Sequence, residues 1–538
     1  MPCPCRPWSL EDFGAASAPT LVEDGIAFAR EAAAAGTVLL RNEGELPWDA
    51  PAPASVAVIG HNAKFARSQG GGSATVLPKH VVSPLEGVCA ALPDSRISYS
   101  VGAVVQEGVA ELPLESITNP ATGEPGLRAR FLAADGTELF SEDRRATALV
   151  WFGGMAPIVE SSVLELTTRY LPEESGSILL GFASTGRARI YVDGTLLLDD
   201  TIVAESSDLG AAFLSPPTSS APVAVVEGVA IDIRIEYMIV KPEGELSNVM
   251  SFTFGIEPDD SNPERLIAEA VEAARGADVA LVVVGTNSRV ESEGYDRSSL
   301  ALPGRQDDLV RAVAAANPRT VVVVNAGAPV LMPWRNDVAA VVVGYFGGEQ
   351  FGNAIADVLL GRVEPGGRLP TTWPANEADV PVIDTTPVDG VLRYDEGIHI
   401  GYRAWLKSGA TPAYPFGHGL GYTEFSLAKA SAPSIVAPGA TVSVGVEVTN
   451  EGSRAGKAVV QVYAERADST VDRPVRWLVG FQPAIVAAGE TKQVHVDVST
   501  RLLAYWNDGW TYEPGSFVLR VGTSVVDLPL VTAVELSA

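Results

Sequence analysis

The chain reads as a mixed α/β protein joined to all-β units, and three observations predict this. Near-continuous apolar runs, DVALVVVG, RTVVVVN and VAAVVVGYF, are of the kind buried on both faces of a parallel sheet. Helical faces separate these runs. Two other stretches, one mid-chain and one after Phe425, alternate apolar and polar residues in short strands broken by turns. At 538 residues the chain exceeds one hydrophobic core, and about 100 to 200 residues per domain predicts roughly three to five units.

From Leu21, the segment LVEDGIAFAREAAAAG has a helical apolar face through Ile26, Ala29 and Ala33, with Gly36 as a stop. TVLLRN follows as a buried strand. SVAVIG, Ser55 to Gly60, is a second strand that runs into the loop HNAKFARSQGGGSATV, where Gly70 to Gly72 let backbone approach a ligand closely. A helix begins near Pro84. The strand and helix rhythm stops near Gln106, and short strands at Ser177 to Phe182, Ala188 to Val192 and Ile231 to Tyr237 imply an inserted all-β domain. Asn262-Pro263 caps the returning helix, which carries Ile267, Val271 and Ala274 on one face. Leu309, Val310 and Val313 line the next, which Asn317-Pro318 ends. Beyond Phe425, TVSVGVEVTN, AVVQVYAE, QVHVDVS and FVLRVG alternate as strands of a β-sandwich. The expected division is a leader or linker at 1–18, a split α/β sandwich at 19–106 and 256–425, an insert at 107–255 and a C-terminal sandwich at 426–538.

Lys and Arg total 38 against 66 Asp and Glu, a formal charge of −28, so the average field repels nucleic acid. A neutral substrate fits better. Cys3, Cys5 and Cys89 are too few and too scattered for a disulfide framework, which fits a reducing interior. No basic start followed by an apolar stretch is visible, so the expected location is cytoplasmic, although a missing N-terminal region could have carried a signal. Apolar runs fall far short of the ~20 residues of a membrane helix. The histidines show no metal spacing, and no metal or cofactor is expected. GGG lacks the partners of a phosphate loop, which argues against a nucleotide.

Several segments occur together in a telling order. VLLRNEGELPW, VIGHNA, GGGSATV and SPLEG come first; ESEGYDRSSLALPGRQDDLV, NAGAPV, YFGGEQFGNAIADVLLGRVEPGGRLPTTWP, YDEGIHIGYRAW and YPFGHGLGYTEF come after them. In this order they resemble the α/β-sandwich domain of glycoside hydrolase family 3 enzymes of the β-glucosidase type. SGSILLGFASTGRARIYVDGTLLLDD is similar to a protective-antigen-type β-sandwich carried by some members as an insert. NEGSRAGKAVVQVY, RPVRWLVGF and YEPGSFVLRVG resemble the family's fibronectin type III-like module. A full member also begins with a barrel bearing a nucleophilic aspartate in a Ser-Asp-Trp context and a Lys-His pair; no Ser-Asp-Trp occurs in this sequence, and its Lys79-His80 dipeptide lies within the part that resembles the α/β sandwich, not in a barrel.

Retaining glycosidases need one carboxyl group to protonate the leaving oxygen and another, about 5 to 5.5 Å away, to attack the sugar carbon. The resemblance makes Glu293, in ESEGYDR, the general acid/base, with Glu291 as the alternative. Around Glu293, like charges at Glu291 and Asp296 favour the protonated form, while Arg289 and Arg297 oppose it. Ser73 and Gly72 of the glycine loop are the expected sugar-binding residues. The aromatics Trp334, Tyr345, Phe346, Tyr402 and Trp405 read as core or domain-interface residues. The resemblance thus implies the acid/base portion of a retaining exo-β-glycosidase acting on a β-linked glucoside, inactive without a barrel domain or separate barrel chain. Two alternatives stand beside it: a non-catalytic carbohydrate-binding protein, and one subunit of a split glycosidase.

Overall fold

A computed structural model describes residues 24–49, 51–70, 76, 78, 80–105, 108–203, 216–240, 249–259, 262–287, 290, 291, 293, 297–382, 384 and 386–538. Its organising element is a six-stranded sheet ordered Val38–Asn42, Ala340–Val343, Thr320–Asn325, Val279–Gly285, Ser55–Ile59, Arg96–Ser100. Every pairing is parallel except that of Val38–Asn42, which runs antiparallel to Ala340–Val343. The valine runs are continuous because helices cover both faces. Ala57, Ile59, Val282, Val284, Val322 and Val324 pack on one side with Leu309, Val310 and Val313 of the Gln306–Ala316 helix. Val56, Val58, Leu281, Val283, Val321 and Val323 pack on the other with Phe351, Ile355 and Leu359. Alternate residues of one strand thus feed two cores, which an apolar run with period two requires.

Local chemistry sets the helix ends. Asp24 accepts hydrogen bonds from the amides of Ile26 and Ala27 and starts Gly25–Gly36. Ser83 and Glu86 form a capping box on Pro84–Ala91, and Asn262 caps Pro263–Arg275 through the Arg265 amide at 3.1 Å. One expectation fails: Ile26 is 61% exposed, not on the packed face. The first helix instead packs through Ala33 and Ala34 onto Ala354 and Val358. Arg30 reaches across to Asp357 with two bonds of 2.5 and 2.7 Å, and this bidentate pair fixes the rotation of the helix.

The stretch between the sheet's two halves forms two facing β-sheets. One contains Thr218–Val225, Gly176–Ala183 and Met250–Glu257, and the other is built around Gly186–Val192, Ile231–Met238 and Val163–Tyr170. Met250–Glu257 runs through the boundary expected at 255. Tyr237 packs on Phe252 of the opposite sheet at 5.1 Å, and Trp151 meets Phe131 of the opposite sheet edge-on at 5.3 Å, so aromatic packing joins the layers. On the outer face, Arg130, Arg187, Arg189 and Arg234 pair with Glu138, Glu165, Asp199 and Glu236 across adjacent strands.

The C-terminal unit is a sandwich of a three-stranded and a five-stranded sheet around Val444, Val446, Val460, Val462, Val496, Phe517 and Leu519. Polar contacts tie it to the α/β unit. Gln461 donates to the Gly417 carbonyl at 3.0 Å, Arg454 to that of Gly361 at 2.7 Å, and the Leu478 amide to the Tyr402 hydroxyl at 3.0 Å. Tyr402, stacked on Phe416 at 4.4 Å, is therefore a domain-interface residue. No helix among the described residues is long and apolar enough to cross a membrane.

Candidate active site

Ser55–Ile59 and Val279–Gly285 are neighbours, yet the chain leaves them in opposite directions. After Ser55–Ile59 it returns on the outer side as Arg96–Ser100; after Val279–Gly285 it returns on the inner side as Thr320–Asn325. Such a reversal opens a crevice at the carboxyl ends of the two strands, where α/β proteins hold ligands. The loops flanking it are the ones that contain the glycine run and the ESEGYDR segment.

The strand ends abut closely. Gly285 has no room for a side chain: a Cβ there would lie 2.1 Å from the Asn325 carbonyl oxygen. Asn325 is fully buried and works as a junction. Its Oδ1 accepts from Asn62 Nδ2 at 3.0 Å and from the Arg67 amide at 2.8 Å, while its Nδ2 donates to the carbonyls of Arg67 and Tyr345 at 2.9 and 2.7 Å. Tyr345 is held at a φ of 52°, a strained value for a non-glycine residue. Burial raises its hydroxyl to about 12. His61, at the start of the first loop, is pushed down to about 4 by burial and stays neutral at physiological pH.

Gln69 closes the glycine loop like a rung of sheet. Its Nε2 donates to the Val76 carbonyl at 2.7 Å and its Oε1 accepts from the Val76 amide at 2.9 Å, bringing the two ends of the glycine segment together. Ser73 and Gly72 lie outside the described residues, as do Arg289 and Asp296. Gly70 is described and exposed, and its carbonyl accepts from Arg67 Nη2 at 2.5 Å. The same nitrogen lies 3.2 Å from the Glu291 carbonyl, so one guanidinium links the two loops.

Glu291 and Glu293 differ sharply. The Glu291 side chain is 10% exposed and both its oxygens are engaged: Oε2 accepts from the Thr286 hydroxyl and from the Gly327 amide at 2.9 Å, and Oε1 faces Arg297 Nη1 at 3.5 Å. Arg297 also donates to the Pro329 carbonyl at 3.1 Å, and burial lowers its pKa against the opposing pull of Glu291 and Glu377. Glu293 sits in a turn and is exposed. The loop carboxylate paired with Arg297 is therefore Glu291. Arg67, Gln69 and Asn325 escape a reading of the sequence, although Arg67 and Gln69 stand just before the three glycines that draw attention to the loop.

Residues 37–422 match the model of the glycosyl hydrolase family 3 C-terminal domain. The chain belongs to glycoside hydrolase family 3. Residues 458–525 match a fibronectin type III-like domain, in agreement with the C-terminal sandwich. A β-glucosidase from Rhizobium radiobacter is 35% identical over 98% of the chain and 65% of its own length. β-Glucosidase B from Emericella nidulans is 34% identical over 93% of the chain and 61% of its own length. The crystal structure of a Kluyveromyces marxianus β-glucosidase in complex with glucose superposes with a TM-score of 0.83 at 31% identity, over 95% of this chain and 62% of that one. This family 3 chain thus spans less than two thirds of the length of the relatives it matches.

Proposed function

We propose that this chain carries the acid/base half of a retaining exo-β-glucosidase. Glu293 protonates the departing oxygen of a β-linked glucoside and then activates the water that releases the sugar. A barrel of the kind found in full family members supplies the nucleophilic aspartate, on the same polypeptide or on a separate one. The observation that carries this reading is the place of the ESEGYDR loop at the carboxyl end of Val279–Gly285, where Glu293 is exposed and Glu291 anchors the loop to Thr286, Gly327 and Arg297. β-Glucosidase names among the relatives and glucose in a solved neighbour support the substrate class. We read the insert as a protective-antigen-type unit that borders the site. Lys64, three residues before Arg67, lies 3.6 Å from Glu173 of the insert, which supports this position.

The test is a reconstituted enzyme, with a family barrel added in trans or fused N-terminally. Glu293→Ala is expected to slow substrates with poor leaving groups by about 10² to 10⁴-fold and activated aryl glucosides far less. Azide is expected to rescue the variant partly on an activated substrate and to yield a β-configured azide through a second inversion. Equal losses on both substrates without rescue would transfer the role to Glu291. Sugar binding with no turnover in the presence of the barrel would favour a carbohydrate-binding protein.

A further inference from the structure

We propose that Arg67 is a positioning residue that makes the glycine loop and the acid/base loop a single mechanical unit. The inference rests on the reading of Glu293 as the acid/base, and extends it to a residue that touches neither the sugar nor the proton. Arg67 Nη2 lies between two carbonyl oxygens, 2.5 Å from Gly70 and 3.2 Å from Glu291. Gly70 is where the glycine segment begins, and Glu291 lies two residues before Glu293. A bond between residues 224 apart in sequence therefore joins the loops that follow the two strands.

Among the described residues, the groups on both sides of this link are themselves held. The Arg67 main chain is clamped by Asn325 through both its amide and its carbonyl, so the side chain starts from a rigid point. The guanidinium lies over the Phe346 ring at 5.4 Å, which limits its swing. On the far side, the Glu291 side chain is pinned by Thr286, Gly327 and Arg297, and its amide donates to the Asn287 carbonyl at 3.0 Å. Gln69 holds the return end of the glycine segment at Val76. With these points fixed, a shift at Gly70 reaches Glu291 through the Arg67 guanidinium. Both bonds leave one nitrogen, Nη2, whose two N–H groups the rigid guanidinium plane holds in fixed directions. A lysine ammonium, a compact charge on a flexible stem, lacks that geometry.

The consequence is coupling. The Glu291 carbonyl, two residues before Glu293, is held to Arg67, and catalytic placement of Glu293 depends on that link. A general acid displaced by about 1 Å loses on the order of 10²-fold in rate. That loss falls on substrates that need protonation of the leaving group.

Two measurements test the proposal. The first uses the 538-residue chain itself, by amide hydrogen exchange of wild type, Arg67→Met and Arg67→Lys. Arg67→Met is expected to speed exchange in peptides covering 68–80 and 286–300 together, by roughly tenfold, the worth of one charge-assisted hydrogen bond. Strands 279–285 and 320–325 serve as the unchanged reference. Acceleration of one loop alone, or of neither, overturns the proposal. If Arg67→Met fails to fold, Arg67→Lys carries the test, and wild-type protection of both loops in that variant overturns it. The second measurement compares kcat and KM in the barrel-reconstituted enzyme. Arg67→Met is expected to lower kcat for poor leaving groups by on the order of 10²-fold and for activated aryl glucosides by less, the direction given by Glu293→Ala. If Glu293→Ala lacks this leaving-group dependence, the acid/base reading fails. If Glu293→Ala shows it and Arg67→Met does not, only the role of Arg67 fails.

Discussion

Glu291 and Glu513 have both carboxylate oxygens committed to donors, and each fixes a loop; Glu293 is exposed on the loop that Glu291 holds. A group that must hand over a proton needs an oxygen that substrate can reach, whereas a group that organises backbone needs none. Glu513 gives this contrast a measurable form. Burial works to raise its pKa, but the Thr470 amide, the hydroxyls of Ser469 and Thr470 and the Arg473 guanidinium outweigh it and bring the group down to about 2. A glutamate in an unfolded chain titrates near ~4.3, so the folded value is the lower one. The stabilisation from Glu513 is therefore complete above the unfolded pKa and is lost as pH falls from there towards about 2. Glu513→Gln is expected to lower the Tm of the C-terminal sandwich near neutral pH, and the gap to wild type is expected to close on acidification. Calorimetry across that range checks this. A gap that does not change with pH would mean that Glu513 acts through shape alone.

At the scale of elements, the contact between helices Pro84–Ala91 and Phe351–Leu359 depends on two glycines facing each other. A Cβ on Gly87 would lie 2.1 Å from the Gly352 carbonyl oxygen, and one on Gly352 would lie 1.9 Å from that of Ser83. Helix propensity alone favours alanine over glycine by about 1 kcal/mol. Overpacking against backbone, which cannot rotate aside, costs about 1–3 kcal/mol and wins. Gly87→Ala is thus expected to destabilise the α/β unit, with a fall in its Tm as the readout; a rise would show that the helices part freely. Neither glycine stands out in the sequence, because close approach leaves no periodic mark. The sheet is legible for the opposite reason: valine after valine in 279–284 and 320–324 has a single reading once both faces are covered. Ile26 defeats the sequence pattern because a local helical period cannot foresee that Arg30 will turn the helix onto Asp357. The same limit hides Arg67 and Asn325, whose partners lie more than 200 residues away. Motif order points to the right loops; only the fold reveals which polar groups join them.

For the whole molecule, the decisive quantity is the number of carboxylates able to act at the crevice. Double displacement needs a nucleophile about 5 to 5.5 Å from the acid/base. Glu291 is anchored, and Glu377, which also faces this region, accepts from the Ser299 hydroxyl at 2.9 Å and the Leu300 amide at 3.0 Å. In the function proposed above, the second carboxylate comes from the part of the relatives' length that this chain does not span. The 538-residue polypeptide made alone is therefore expected to hydrolyse an aryl β-glucoside no faster than background, and to gain turnover when a family barrel is added. A side chain placed to protonate a leaving group gives little help when no group attacks the sugar carbon. Progress curves on an activated aryl glucoside, with and without the barrel, measure this directly, and Glu293→Gln separates its causes. Activity of the chain alone that Glu293→Gln abolishes would mean that a second carboxylate of this chain reaches the sugar. Activity that survives the substitution would point to a site elsewhere in the molecule. No activity alone, followed by barrel-dependent turnover sensitive to Glu293→Gln, is the outcome that the two halves of a retaining site require.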